Sequence, residues 1–302
     1  MKPAEKEQAG MRITHRDMQI LDEIARMKML TSRQIGALFF VDPPRYEWDV
    51  EKCSAAARRR IAILKNQGYL RSAFVPGDTP EKCYFLGPAA IALLKAADES
   101  EFSTPRYAER KETYALNSAR HDLPLNSLII NLMLLEKVRS DLQVIEFRGE
   151  REMNFKFADD EHEFKPDAYL RLVLKDEQRA CFFELQRGAV KASSTETKLV
   201  GYAEFVKQGM RSLLAVNYDP IYCWLVPDMD RLYKVVTCIK SFKIKYRKAY
   251  NWLDKGCFFI STDKHMDIAS LGRGALSENP IKPGYWFDEN LKKINGPFCL
   301  FE

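Results

Sequence analysis

The chain has 302 residues, 46% apolar and 29% charged, with a net charge of +5. That balance excludes an intrinsically disordered chain and allows apolar surface for two cores of ordinary size. No stretch approaches the roughly eighteen uninterrupted apolar residues of a membrane span, and the opening "MKPAEKEQAG" lacks the apolar run of a signal peptide. A cytoplasmic protein with no membrane partner is expected. Its seven cysteines include no C-x-x-C pair, which suits reduced structural thiols.

The first hundred residues read as helices followed by a hairpin. Thr14-His15-Arg16-Asp17 and Thr31-Ser32-Arg33-Gln34 each set a hydroxyl three residues before an acid or amide, the pattern of a capping box. Ile20, Ile24 and Met27 then line one helical face, and Ile35 with Leu38 or Phe39 another. In "CSAAARRRIAILKNQGYLR" Ala57, Ile61 and Leu64 share a face, with Arg59 and Asn66 opposite. "YLRSAFVPGDTPEKCYFLG" predicts two strands around a turn, and "PAAIALLKA" a short helix. This is the order of a winged helix, whose candidate DNA-binding residues are Arg33, Arg58, Arg59, Arg60, Lys65 and Asn66. A small helical cap with a solvated arginine face is the competing reading. A charged stretch without apolar period at 98–115 marks a linker, dividing a head at 1–97 from a second domain at 116–302.

From Leu116 a helix with Leu125, Leu128, Ile129, Leu132 and Leu135 on one face precedes three strand-like runs, a helix and the strand "IYCWLVPD". The helix "SSTETKLVGYAEFVKQGMRS" is expected to start on a Ser193–Glu196 capping box. Such an order is α/β. Asp167 follows Pro166 at one strand start, and Glu184 follows Cys181-Phe182-Phe183 near the end of the next. Carboxylates there are costly unless a metal, a hydrogen-bond network or exposure offsets the desolvation. Mg²⁺, which takes one or two carboxylates plus waters and phosphate oxygens, is the candidate cofactor.

"KPDAYLRLV…CFFELQRG…TKLVGYAEF" resembles the core of the PD-(D/E)xK nuclease superfamily. With the winged helix and "RHDLPLNSLI" before it, the arrangement is similar to the plasmid replication-relaxation family over roughly residues 14 to 230. The resemblance implies a restriction-endonuclease-like α/β domain with a mixed central sheet, in which Asp167 and Glu184 hold Mg²⁺. Lys198 and Tyr202, one helical turn apart, match the helix after the third strand, and His121 and Asn126 match the helix before the sheet. Where the pattern ends in Lys, this chain has Gln186, which can orient water but brings no charge. Lys191 or Lys198 is the alternative source of that charge.

Other signals point elsewhere. Glu150 and Glu152 read as a charged turn, and Asp228 as a helix cap. The basic and aromatic run from Lys240 to Trp252 fits a phosphate-tracking surface and an amphipathic core helix equally. His15, His121, His162 and His265 form no metal-binding pair, and no Gly-rich phosphate loop occurs. Two functions stay open: a DNA-binding endonuclease of plasmid or mobile-element replication or mobilisation, or a non-catalytic regulator whose nuclease-like domain docks partners. Double-stranded DNA is the expected ligand. Replication or mobilisation proteins and a second copy of the chain are candidate partners.

Overall fold

The computed structural model describes residues 12–75, 81–97, 112–157, 163–218, 220–250, 258–281, 286–288, 290 and 292–294. Of 112–117, 268, 272, 293 and 294 only the backbone is described. The chain is mixed α/β.

The head begins with α1 (His15–Met27), which buries Ile20, Leu21, Ile24 and Met27 and starts on the expected Thr14–Asp17 capping box. β1 (Leu30–Thr31) leads into α2 (Ser32–Phe39), started by the second box, Thr31 with Gln34. α3 (Val50–Asn66) is capped by Asp49, whose side chain accepts from the Lys52 N–H. Gly36 lets α2 and α3 press together: a Cβ there would meet the Cys53 carbonyl carbon at 3.0 Å. The hairpin β2 (Leu70–Val75) and β3 (Glu81–Leu86) joins β1 in a three-stranded sheet of order β1-β3-β2, followed by α4 (Pro88–Ala97). That is the winged-helix order. The turn expected at 76–80 lies outside the described residues.

Most of the expected linker at 98–115 lies outside the described residues, and its last four residues belong to a helix. Residues 98–111 lie outside the described set, and α5 (Glu112–Glu136) has already begun by 112, running straight through Pro124. β4 (Leu142–Gly149), the small pair β5 (Phe155–Lys156) and β6 (Glu163–Phe164), then β7 (Ala168–Leu174) and β8 (Glu177–Leu185) follow. α6 (Ala192–Lys207) crosses to β9 (Ile221–Val226), and α7 (Met229–Tyr246) to β10 (Phe258–Thr262). α8 (Asp263–Met266), β11 (Trp286–Phe287) and β12 (Lys293–Ile294) complete the elements used below. The predicted Ser193–Glu196 box is absent: α6 starts earlier, at Lys191, and Glu196 accepts from Lys245 and from the Tyr246 hydroxyl. Asp228 does cap α7.

One seven-stranded sheet, in order β12-β11-β10-β9-β8-β7-β4, forms the second region. β4, β7 and β8 run antiparallel, while β8, β9 and β10 run parallel. This helix, three-strand meander, helix and parallel strand is the restriction-endonuclease-like core, which the chain's later residues extend. Strand alternation divides the side chains cleanly. Phe183, Leu185, Cys223 and Leu225 face α5 and the head, whereas Phe182, Tyr222 and Trp224 face Tyr202, Phe205 and Leu232 of α6 and α7. Phe242, Tyr246 and Tyr250 pack into that second core, so the described part of the basic aromatic run turns its aromatics inward, on the end of α7 and just beyond it; Trp252 lies outside the described residues.

Head and sheet are pinned together. Residues of α1, α2 and α3 share one apolar cluster with α5 and the α5-facing side of the sheet. Asn126 of α5 donates to the carbonyls of Met27 and Met29, at 3.0 and 2.8 Å. Gly149 ends β4 so close to the head that a Cβ would sit 2.4 Å from the Arg26 carbonyl oxygen. Lys28, which ends α1 at φ 67°, reaches Asp122 at 3.0 Å and pairs with Glu150.

Two outcomes follow for stability. Asn126→Ala leaves two carbonyls without their donor, and chemical denaturation should show a loss of about 2–3 kcal/mol; an unchanged midpoint would show that the carbonyls find other donors. Burial works against the Glu150 charge, but Lys28 and Lys165 outweigh it and hold the carboxyl down from 4.5 to about 2. Because the folded value is the lower, its stabilisation is complete above 4.5 and is lost as pH falls toward 2. The gap is worth about 3 kcal/mol at most. Melting curves recorded from about pH 5 down to about pH 2 should fall more steeply for the wild type than for Glu150→Gln, and parallel curves would contradict this.

Candidate active site

The site forms where β7 begins and β8 ends. Ala168 pairs with Phe183, and the next position outward sets Asp167 opposite Glu184. The backbone continues that register, since the Asp167 N–H donates to the Phe183 carbonyl at 3.0 Å. Asp167 Oδ2 accepts the Leu185 N–H at 2.8 Å and contacts His121 Nε2 of α5 at 3.0 Å. Glu184 is only 1% exposed. Its Oε2 accepts from the Tyr222 hydroxyl at 3.3 Å, and Lys198 of α6 is ion-paired with Oε1.

Among the motif residues, Gln186 and Lys198 lie in different settings. Gln186 hydrogen-bonds within its own loop, its side-chain amide donating to the Ala189 carbonyl at 3.1 Å. The cation beside Glu184 is Lys198, delivered from the next helix. Tyr202, one turn further along α6, is fully buried and donates to the Pro220 carbonyl at 2.5 Å. Its ring stacks on Tyr222 with centroids 4.9 Å apart, so Tyr202 supports the donor that holds Glu184.

A chain of alternating charge runs away from Asp167. His121 Nδ1 lies 3.2 Å from Asp122 Oδ1, Asp122 accepts from Lys28, and Glu150 sits between Lys28 and Lys165. Burial opposes the His121 charge, yet its bonds to Asp122 and Asp167 prevail and push the imidazole up to about 10. It is an imidazolium at neutral pH. Burial likewise opposes the Lys28 charge, but Asp122 and Glu150 raise its pKa. For Lys198 burial wins: the ammonium is drawn below the ordinary lysine value against the fields of Asp167 and Glu150. Burial drives the Tyr222 hydroxyl well upward, which keeps it a proton donor to Glu184. Lys28, Asp122, Glu150 and Asp167 also border a cavity of ≈ 10 Å³, the lower limit for one water.

The donor set suits a hard cation only in part. Among the described residues no group of three or more His, Cys, Asp or Glu side chains is arranged around one metal-sized point. Two carboxylates from opposite positions of paired strands are nonetheless the number that Mg²⁺ commonly takes from a protein, with water and phosphate oxygens completing the shell.

On the head, the residues singled out for DNA divide. Arg58, Arg59 and Asn66 are exposed along α3. Arg33 and Arg58 lie 3.9 and 3.8 Å from Glu51, contacts loose enough to exchange for a phosphate. Lys65 donates to the Ser72 hydroxyl at 2.7 Å. Arg60 is withdrawn: it is bound through Nε and Nη2 to the fully buried Asp17 and ties α3 to α1.

Sequence reasoning passed over Lys28, Asp122, Tyr222 and Glu150 as site residues. Glu150 does lie in a short 3-10 turn, as expected of a charged turn, yet that turn borders the site. Asp122, next to His121, was the one legible signal. No described helix is long and apolar enough to cross a membrane, and the described cysteines (53, 83, 181, 223 and 238) are free thiols.

Comparison with known proteins returns one assignment. No curated protein and no solved structure matches the chain. The model of the replication-relaxation family matches residues 21–213. That span takes in most of the head, all of α5, the three-strand meander with Asp167 and Glu184, and α6 with Lys198. On that match the chain belongs to the replication-relaxation family.

Proposed function

We propose that this chain is a DNA-binding protein of plasmid or mobile-element replication or mobilisation, and that it nicks DNA through a Mg²⁺-dependent endonuclease site at Asp167 and Glu184. One observation carries the catalytic part: Lys198 stands against Glu184 and supplies the cation that Gln186 cannot. The family membership supports the replication setting, and the exposed Arg59 and Asn66 on α3 support duplex binding.

The residues divide the work as follows. Asp167 and Glu184 would hold the Mg²⁺ ion, which would supply positive charge to the phosphodiester being cleaved. The Leu185 N–H and His121 orient Asp167, while Tyr222, backed by Tyr202, orients Glu184. Lys198 brings a mobile positive charge to where charge develops on phosphorus. Its partial burial lets it give up a proton more readily than a surface lysine. Arg33, Arg58, Arg59, Lys65 and Asn66 present the head to the duplex.

Nicking of supercoiled plasmid tests the reading. With Mg²⁺ or Mn²⁺ the wild type should convert plasmid to open circles, and EDTA should stop it. Asp167→Ala and Glu184→Ala should each abolish conversion, and Lys198→Met should slow it by on the order of 100-fold with duplex affinity unchanged. A wild type that binds duplex but never nicks would instead identify a non-catalytic regulator.

Duplex binding has its own readout. Arg59→Ala should weaken binding and lower the slope of log affinity against log salt by about 0.9, one phosphate contact. An unchanged slope would remove α3 from the DNA-facing surface.

A further inference from the structure

A broad groove lies beside the candidate active site and takes no part in it. Its volume is ≈ 1090 Å³. One wall is the head, through Thr31, Arg33 and Gln34 and the ends of the hairpin at Val75 and Glu81. The opposite wall consists of the residues just beyond the C-terminal ends of the three parallel strands: Arg187 after β8, Pro227 after β9 and Asp263 after β10. α5 contributes Arg120, Leu123 and Pro124 and separates the groove from His121, which contacts Asp167, and from Asp122 beside it.

Charge and position narrow the occupant. Among the described lining residues, Arg33, Arg120, Arg187, Arg231, Lys264 and Arg273 face only three carboxylates, Glu81, Asp263 and Asp267. Asp263 is engaged by Arg187, and Asp267 accepts from Arg273 at 2.6 Å. Arg120 and Lys264 are exposed, and no ion pair among the described residues engages them. Crevices beyond the carboxyl ends of parallel strands are where open α/β sheets take ligands. The half-buried Val75, Leu123 and Pro124 add apolar surface for the faces of bases and sugars while the rim holds phosphates. The volume is at the upper end of clefts that hold one drug-sized ligand, so it admits a short length of one strand and not a duplex.

We infer that this groove binds single-stranded DNA, receiving one strand of a duplex engaged by the head and leading it past the end of the sheet that carries Asp167 and Glu184. The inference rests on the proposed DNA-binding function and adds a second ligand class, at a separate site.

Fluorescence anisotropy on the full chain tests it, with an oligothymidylate of about twelve nucleotides and a duplex of about twenty base pairs as probes. The double variant Arg120→Ala/Lys264→Ala changes two surface residues, and an unchanged melting temperature would show that it folds. It should bind the oligothymidylate about tenfold more weakly, with a salt slope lowered by about 1.4, while duplex affinity shifts less than about twofold. Arg59→Ala should do the reverse. The inference is overturned if the wild type ignores the oligothymidylate, if the double variant binds it normally, or if both probes weaken equally. Displacement by polyglutamate as effective as by unlabelled oligothymidylate would assign the groove to acidic protein segments and would also overturn it. Wild-type duplex binding and plasmid nicking report on the proposed function separately, and their absence with single-strand binding intact would sink that function and leave the groove standing.

Discussion

Lys28 places an ammonium group with only 8% of its side chain exposed between Asp122, 4% exposed, and Glu150. Removing such charges from water costs several kcal/mol per ion, and attraction between them offsets this only when geometry and further hydrogen bonds are good. Here His121 and Lys165 satisfy the outer sides of the two carboxylates. The backbone adds a cost of its own, because Lys28 sits at φ 67°, a region that disfavours residues with a Cβ by about 1–2 kcal/mol. The arrangement persists because Asn126 clamps the carbonyls on either side of Lys28, at Met27 and Met29. The orientation of the head, and hence of α3, is set by this joint.

The same joint bears on the candidate chemistry. Glu184 faces the aromatic core of Phe182, Tyr202, Tyr222 and Trp224 at the sheet's end. A carboxylate there is stable only with a cation and a donor at hand, and Lys198 and Tyr222 are both present. Asp167 is more open, 12% exposed at its side chain, and draws on His121 instead. Each acid therefore has a basic partner that a divalent cation would have to loosen or share. Through His121 and Asp122, Asp167 is linked by consecutive contacts to Lys28 in the head.

What the sequence disclosed follows from the range of each interaction. Local chemistry was legible: the Thr14–Asp17 and Thr31–Gln34 boxes and the Asp228 cap all involve residues three apart. Period-two apolar runs gave the meander and "GCFFISTDK", which becomes β10 parallel to β9. The Ser193–Glu196 box misled because a capping pattern is only permissive. The cap of α6 lies two residues earlier, at Lys191, and Glu196 is taken by Lys245 and Tyr246. Lys28 was invisible, since its partners lie 94 and 122 residues away. Arg60 looked like its neighbours Arg58 and Arg59, and only the depth of Asp17 distinguishes it.

The exchange of Gln186 and Lys198 shows why a motif read along the chain can mislead about a site read in space. What a developing phosphorane requires is a positive charge at a particular point. A strand position and a helix position that converge on that point are interchangeable electrostatically. They differ in environment. A lysine on β8 would share the sheet's rigidity, whereas Lys198 reaches in from α6 with 36% of its side chain still exposed. Gln186 secures the loop through Ala189 and, by its backbone N–H, the Leu225 carbonyl at 2.9 Å. That loop leads through Arg187 into the wall of the neighbouring basic groove. The β8 terminus thus carries Glu184 on one side and shapes the groove on the other.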